Sequence, residues 1–152
     1  MAKGFYDLTD AIRDHLEASD FVGTVSYGDI FNVDLEKRQI YSLAHFIINS
    51  ATLEDRVWTF NLSLICMDLV DENANPNEDL LIYNDNTHDV LNTQSFVVGQ
   101  LIESLRRGDL YDDKFQLTGT PSMEAFTDRF NSLVAGWTCT FDVQMPNEQF
   151  IC

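Results

Sequence analysis

The sequence predicts an α+β domain in which an antiparallel β-sheet is packed on one face by two α-helices. Two stretches carry apolar residues at three- and four-residue spacing, the signature of a helix with one buried stripe. Other runs alternate apolar and polar residues with the period of a half-buried strand. The elements come in the order helix, strand, hairpin, long loop, helix, and then two or three strands, which is the α+β pattern. With 152 residues, 45% of them apolar and 12% aromatic, residues 1–152 have the size and core material of a single domain.

The first helix is predicted over residues 5 to 18. Phe5, Leu8, Ile12 and Leu16, with Ala11 alongside, form its stripe, and Asp7, Asp10, Arg13, Asp14 and Glu17 surround it. "GTVSYGD", Gly23 to Asp29, follows as a short strand bracketed by glycines, and "IFNVDLEKRQI" reads as a helical turn or loop at the sheet edge. Leu43 to Asn49 is a strand, "SATLED" a polar turn, and Val57 to Val70 a long strand. Trp58, Phe60, Leu62, Leu64 and Cys66 share one face of that strand. Thr59, Asn61, Ser63, Ile65 and Met67 share the other, polar at its start and apolar toward its end.

Asp71 to Asp79, continuing into "LLIYNDNTHD", is the longest loop candidate, and a second helix runs from about Asp89 to Arg107. Its stripe is read as Leu91, Ser95, Val98, Leu101, Ile102 and Leu105, with Gly108 as the glycine that ends it. "YDDK" reads as a connection, and "KFQLTG" and "MEAFTDRF" as two short strands joined around Pro121. In the last strand Trp137, Cys139, Phe141, Val143 and Met145 alternate with polar residues until Pro146, which has no N–H to offer the ladder.

Charge is the strongest compositional signal. Nine Lys and Arg against 25 Asp and Glu give a net charge of −16. Binders of nucleic acid draw their affinity from neutralised phosphates, so this balance argues against nucleic-acid binding on the outer surface. An acidic surface lets DNA pass without sticking, or meets a basic partner. No run approaches the roughly 18 apolar residues of a membrane span, and the N-terminus lacks the apolar core of a secretory signal. The expectation is therefore a protein of the cytoplasm with no membrane contact.

The residues offer no catalytic constellation. His15 is expected to face solvent, His45 to alternate with core residues in its strand, and His88 to sit in the acidic loop; none has ligand spacing. "DLVDENANPNED" is rich in carboxylates but lacks the spacing of a calcium loop. Cys66, Cys139 and Cys152 are too far apart for a metal pair, and the first two lie on apolar strand faces, where a free cysteine behaves as a small hydrophobe. No cofactor, metal or catalytic residue is expected.

Three stretches together resemble a known family. "FYDLTDAIRDHLEAS" opening the chain, "RQIYSLAHFIINSATLEDRVWTFNLSLICMDLVDE" as its central hairpin and "FTDRFNSLVAGWTCTFDVQMPN" as its closing strand are similar to the tail terminators and tail-completion proteins of tailed bacteriophages. Ser42 departs from the family wording, where a proline stands before the "LAH" strand, and that implies a less rigid strand entry. The resemblance implies a non-enzymatic virion protein at the head–tail junction that caps the tail tube. It implies an oligomeric ring, commonly a hexamer, that meets the tail tube protein on one side and head–tail connector or neck proteins on the other, with phage DNA only as passing cargo. A neck or head-completion ring is one alternative, and a small cytoplasmic binding module with an acidic loop is another.

A ring needs heterologous contacts between unlike patches. The candidates are Ile65 and Met67 on the second face of the long strand, together with Asp71, Glu72, Glu78, Asp79 and Asp85 in the loop after it. For Ile65 and Met67 the alternative is that they pack beneath the C-terminal segment.

Overall fold

The structure, a computed structural model, describes residues 4–28, 41–70, 87–127 and 134–146. Helix α1 (Phe5–Glu17) starts where Asp7 accepts the N–H of Gly4 at 2.7 Å, an acidic side chain in the first turn that also complements the helix dipole. It leads to strand β1 (Thr24–Tyr27), then to the hairpin of β2 (Leu43–Leu53) and β3 (Val57–Leu69). Helices α2 (Thr87–Arg107) and α3 (Asp109–Asp112) follow, and β4 (Gln116–Thr127) and β5 (Val134–Pro146) complete the domain. The strands form a single sheet in the order β1-β2-β3-β5-β4. All pairings are antiparallel except β1 with β2, which is parallel. The fold class is α+β with the helices on one face, and the parallel outer strand is the one departure from an all-antiparallel sheet.

The core lies between that face and the helices. Leu8, Ile12 and Leu16 of α1 and Val97, Val98, Leu101 and Leu105 of α2 meet Phe46, Phe60, Leu62, Leu64, Cys66, Cys139, Phe141 and Val143 of the sheet. Alternation along β3 and β5 puts these residues on one side, so the period-2 reading of both strands holds. Burying so much apolar side chain, at about 25 cal/mol per Å² removed from water, is what holds the helices to the sheet.

Several boundaries differ from the sequence reading. The stripe of α2 begins at Val90 and Gln94 rather than Leu91 and Ser95, a rotation of about 100° per residue that leaves Leu91 half-buried, with its carbonyl accepting the indole N–H of Trp137 at 2.8 Å. His88 belongs to the first turn of α2 and is exposed. β2 runs on through "SATL", because Asn49 bulges out between Ile48 and Ser50 and restores pairing beyond it. "KFQLTG" and "MEAFTDRF" contribute to a single strand whose ladder with β5 is interrupted between Thr118 and Ser122, where Gly119 takes a φ of 69°. A bulge thus stands where a joint around Pro121 is expected.

Gly108 does not end α2 in the left-handed conformation. Its φ is −108° and it caps the N-terminus of α3, and a Cβ there would lie 2.8 Å from the Cα of Ser104. Of "YDDK", Tyr111 and Asp112 close the short α3, and Asp113 and Lys114 form the turn that connects it to β4. The "IFNVDLEKRQI" segment lies outside the described residues. At the start of β2, the Ser42 hydroxyl accepts the Gly23 N–H at 3.1 Å and donates to the Phe21 carbonyl, so hydrogen bonds hold the strand entry.

Candidate functional site

The face of the sheet turned away from the helices carries two different surfaces. At one end Leu43 of β2, Met67 of β3 and Val134 of β5 are buried together, with Tyr41, Ile65, Leu69 and Phe126 half-buried around them. Gly136 lies opposite Met67 in the ladder, and a Cβ on it would stand 2.0 Å from the Cys66 carbonyl oxygen. Only glycine lets β5 approach β3 this closely. Met67 is therefore interior, and of the two residues singled out on this face only Ile65 keeps exposed surface. Asp71, Glu72, Glu78, Asp79 and Asp85 lie outside the described residues.

Toward the other end the same face is polar. Asn49, projecting from the bulge, donates through Nδ2 to Asn61 Oδ1 and to Ser63 Oγ, both at 2.9 Å. Asn61 in turn donates to Asp142 Oδ1 at 2.8 Å, and Ser63 and Thr140 hydroxyls stand 3.4 Å apart. This ladder crosses β2, β3 and β5. Its members spend their hydrogen bonds on one another, which fixes their rotamers into a pre-organised surface.

His45 is buried between β1 and β2. Its Nε2 lies 2.6 Å from the Gly28 carbonyl, and its Nδ1 lies 2.6 Å from Ser26 Oγ. A carbonyl only accepts, so Nε2 carries the proton and Nδ1 accepts from the serine hydroxyl. The pair acts as a polar clamp between the two parallel strands, in keeping with a structural histidine. His15 is half-buried rather than solvent-facing, and burial lowers its pKa against the opposing effect of Asp109. Burial also pushes up both core thiols, Cys139 to about 11 and Cys66 further, helped by Cys139 beside it. Asp68 is raised by burial although it accepts the Leu69 N–H. Among the described residues no group of His, Cys, Asp and Glu is arranged to hold a metal, and no helix is long and apolar enough to cross a membrane.

The sequence reading puts Phe5 in the buried stripe of α1, but the buried residues of that helix are Leu8, Thr9, Ile12 and Leu16, and Phe5 belongs to an aromatic patch beside β1. Phe5 is 40% exposed, Tyr6 80% and Tyr27 50%. Their rings are not loose. Phe5 contacts Tyr6, Tyr27 and buried Phe60 at centroid distances of 6.3, 6.4 and 6.1 Å, and Tyr27 contacts buried Phe46 at 5.0 Å. Adjacent aromatics at the start of an amphipathic helix cannot both face its core, and that is the signal in "FYDL" that points to this patch. At the opposite edge Ser122 to Ala125 of β4 are all exposed, including Met123. No protein-family model matches the chain, and no curated protein matches it.

Proposed function

We propose that this chain is a non-enzymatic virion protein of a tailed bacteriophage, a ring-forming subunit that ends tail growth and joins the tail to the head. The three stretches quoted above suggest the family. The observation on the molecule that carries the reading is the pairing of unlike association surfaces on opposite sides of one rigid sheet. Rings close through heterologous contacts, in which one patch meets a different one on the next copy. The anchored aromatics beside β1 supply an apolar patch of the composition that interfaces favour. The exposed length of β4 supplies an open strand edge with Met123 on it.

The charge fits the same role. A net charge of −16 makes whole copies repel one another, which favours self-contacts that are apolar or made through the backbone. The acidic exterior also keeps DNA from adhering as it passes. In this reading the tail tube protein and the connector or neck proteins are the neighbours above and below the ring.

Native mass spectrometry and electron microscopy of the purified chain, alone and mixed with tail tubes, test the proposal. A closed ring, or a ring seated on tube ends, supports it. A chain that stays monomeric at high concentration and leaves tube ends bare overturns it. The variant Tyr6→Ser, at the most exposed ring of the patch, should weaken the ring while the chain keeps its folded circular dichroism spectrum.

A further inference from the structure

Among the described residues the outer strands of the sheet are β1 and β4. Ser122, Met123, Glu124 and Ala125 of β4 are all exposed. Successive residues of a strand point to opposite faces, so this stretch is open on both. Met123 and Ala125 pair with Cys139 and Trp137 of β5, which lie in or against the core, and they therefore stand on the helix side of the sheet. On β1, Val25 and Tyr27 pair with Ala44 and Phe46, also core residues. Both edges thus carry their apolar side chains on the same face. Tyr27, exposed and in contact with Phe5, stands at one end, and Met123 and Ala125 stand at the other.

Exposed edges are commonly blunted by charges, proline or bulges. In β4 these devices are confined to the first half, where Pro121 has no N–H to donate and the ladder is interrupted between Thr118 and Ser122. From Ser122 to Thr127 the pairing is regular, and Glu124 is the only charged residue of that run. Thr24–Tyr27 of β1 carries no charge at all. In a chain of net charge −16, these are the strands along which two copies approach with the least repulsion.

We propose that β1 of one copy adds to the β4 edge of the next, so that the sheet continues from subunit to subunit. This rests on the ring reading and specifies its contact. Copies related by rotation about a ring axis present the same face and keep the same strand sense. β1 is parallel to β2, and the three further pairings are antiparallel, so β1 and β4 run in opposite senses and the new pair is antiparallel. Directly opposite residues must then share a face, and a slip of one residue sets apolar against polar. The register that meets this condition and keeps all of β1 within Ser122–Thr127 sets Thr24 against Phe126, Val25 against Ala125, Ser26 against Glu124 and Tyr27 against Met123. The Tyr27 ring then meets the Met123 thioether, a favourable contact of sulfur with an aromatic edge, and the outward N–H and C=O groups of the two strands hydrogen-bond to one another.

Hydrogen exchange on the unaltered chain, dilute and assembled, is the first test. The outward amides of Val25–Tyr27 and Met123–Phe126 should exchange about tenfold or more slowly in the ring, as amides do when they enter a ladder. Cross-linking is the second, in a Cys152→Ser background that leaves only the buried Cys66 and Cys139. Tyr27→Cys with Met123→Cys in one chain should oxidise to a ladder of disulfide-linked multimers. Tyr27→Cys with Glu124→Cys, on opposite faces, should not. A parent ring with no added protection at either strand overturns the strand pairing and leaves the ring reading standing. So does equal cross-linking of the two cysteine pairs, or a first variant that native mass spectrometry shows as a ring yet that yields no cross-link. A parent that stays monomeric at high concentration overturns both.

Discussion

Trp58 and Trp137 stand on the same face of neighbouring strands but differ in one atom's circumstances. The indole N–H of Trp137 donates to the Leu91 carbonyl at 2.8 Å, whereas that of Trp58, stacked on Phe60 at 5.6 Å, is buried with no partner among the described residues. A buried donor left unsatisfied costs about 1–3 kcal/mol. Trp137→Phe should therefore lose about 1–2 kcal/mol, and Trp137→Ala about 3–5 kcal/mol, in urea unfolding. Trp58→Phe should be neutral or stabilising, because it removes the orphaned group and keeps the stacked ring. Equal losses in the two Phe variants would show that the Leu91 contact contributes nothing.

The thiol of Cys139 gives a pH dependence with a definite sign. Its pKa is raised by burial from 9.0 to about 11, so the folded chain keeps a proton that the unfolded chain releases. That stabilisation is complete below pH 9.0 and is lost as pH rises toward about 11, at a limiting slope of about 1.4 kcal/mol per pH unit. Melting followed across this window should fall more steeply for the parent than for Cys139→Ala. Parallel curves would remove the thiol from the account.

At the scale of elements, the β3–β5 ladder is the spine of the sheet and Gly136 is a point of close approach within it. A Cβ there would be 2.0 Å from the Cys66 carbonyl oxygen and 2.8 Å from the Met67 Cα, both backbone atoms that cannot swing aside. Gly136→Ala should cost about 3 kcal/mol or more, which would appear as a collapse of soluble yield or of the unfolding midpoint. A variant of parental stability would mean that the two strands can part without loss. The bulge at Asn49 is the opposite case, since the extra residue turns its amide onto Asn61 and Ser63 and so carries the polar ladder onto β2.

At the scale of the whole molecule, the net charge of −16 opposes any assembly of identical copies. Exposed charges are screened beyond about 10 Å at 0.1 M salt. If the copies meet through the aromatics beside β1 and the edge of β4, raising the salt should shift the oligomeric equilibrium toward the ring in sedimentation velocity. Dissociation by salt would instead point to contacts made by charge pairing, and the apolar patches would no longer explain the assembly.

Periodicity in the sequence determined the two long helices, the central hairpin, the last strand and the α+β class, because each buries a face whose spacing is set by local geometry. It also separated the apolar face of β3 from its half-polar face. It did not show that β1 runs parallel to β2, since strand direction depends on how the chain returns to the sheet edge. Nor did it decide between Ile65 and Met67 as surface or interior; the close approach of β5 at Gly136 and the packing of Leu43 and Val134 buried Met67 and left Ile65 at the rim. Arg56, just before β3, and Lys114, shortly before β4, lie 58 residues apart in the sequence and line one cavity because the starts of β3 and β4 meet the end of β5 there. A cavity assembled from separate strand ends has no spacing to read, so only the tertiary structure could bring it into view.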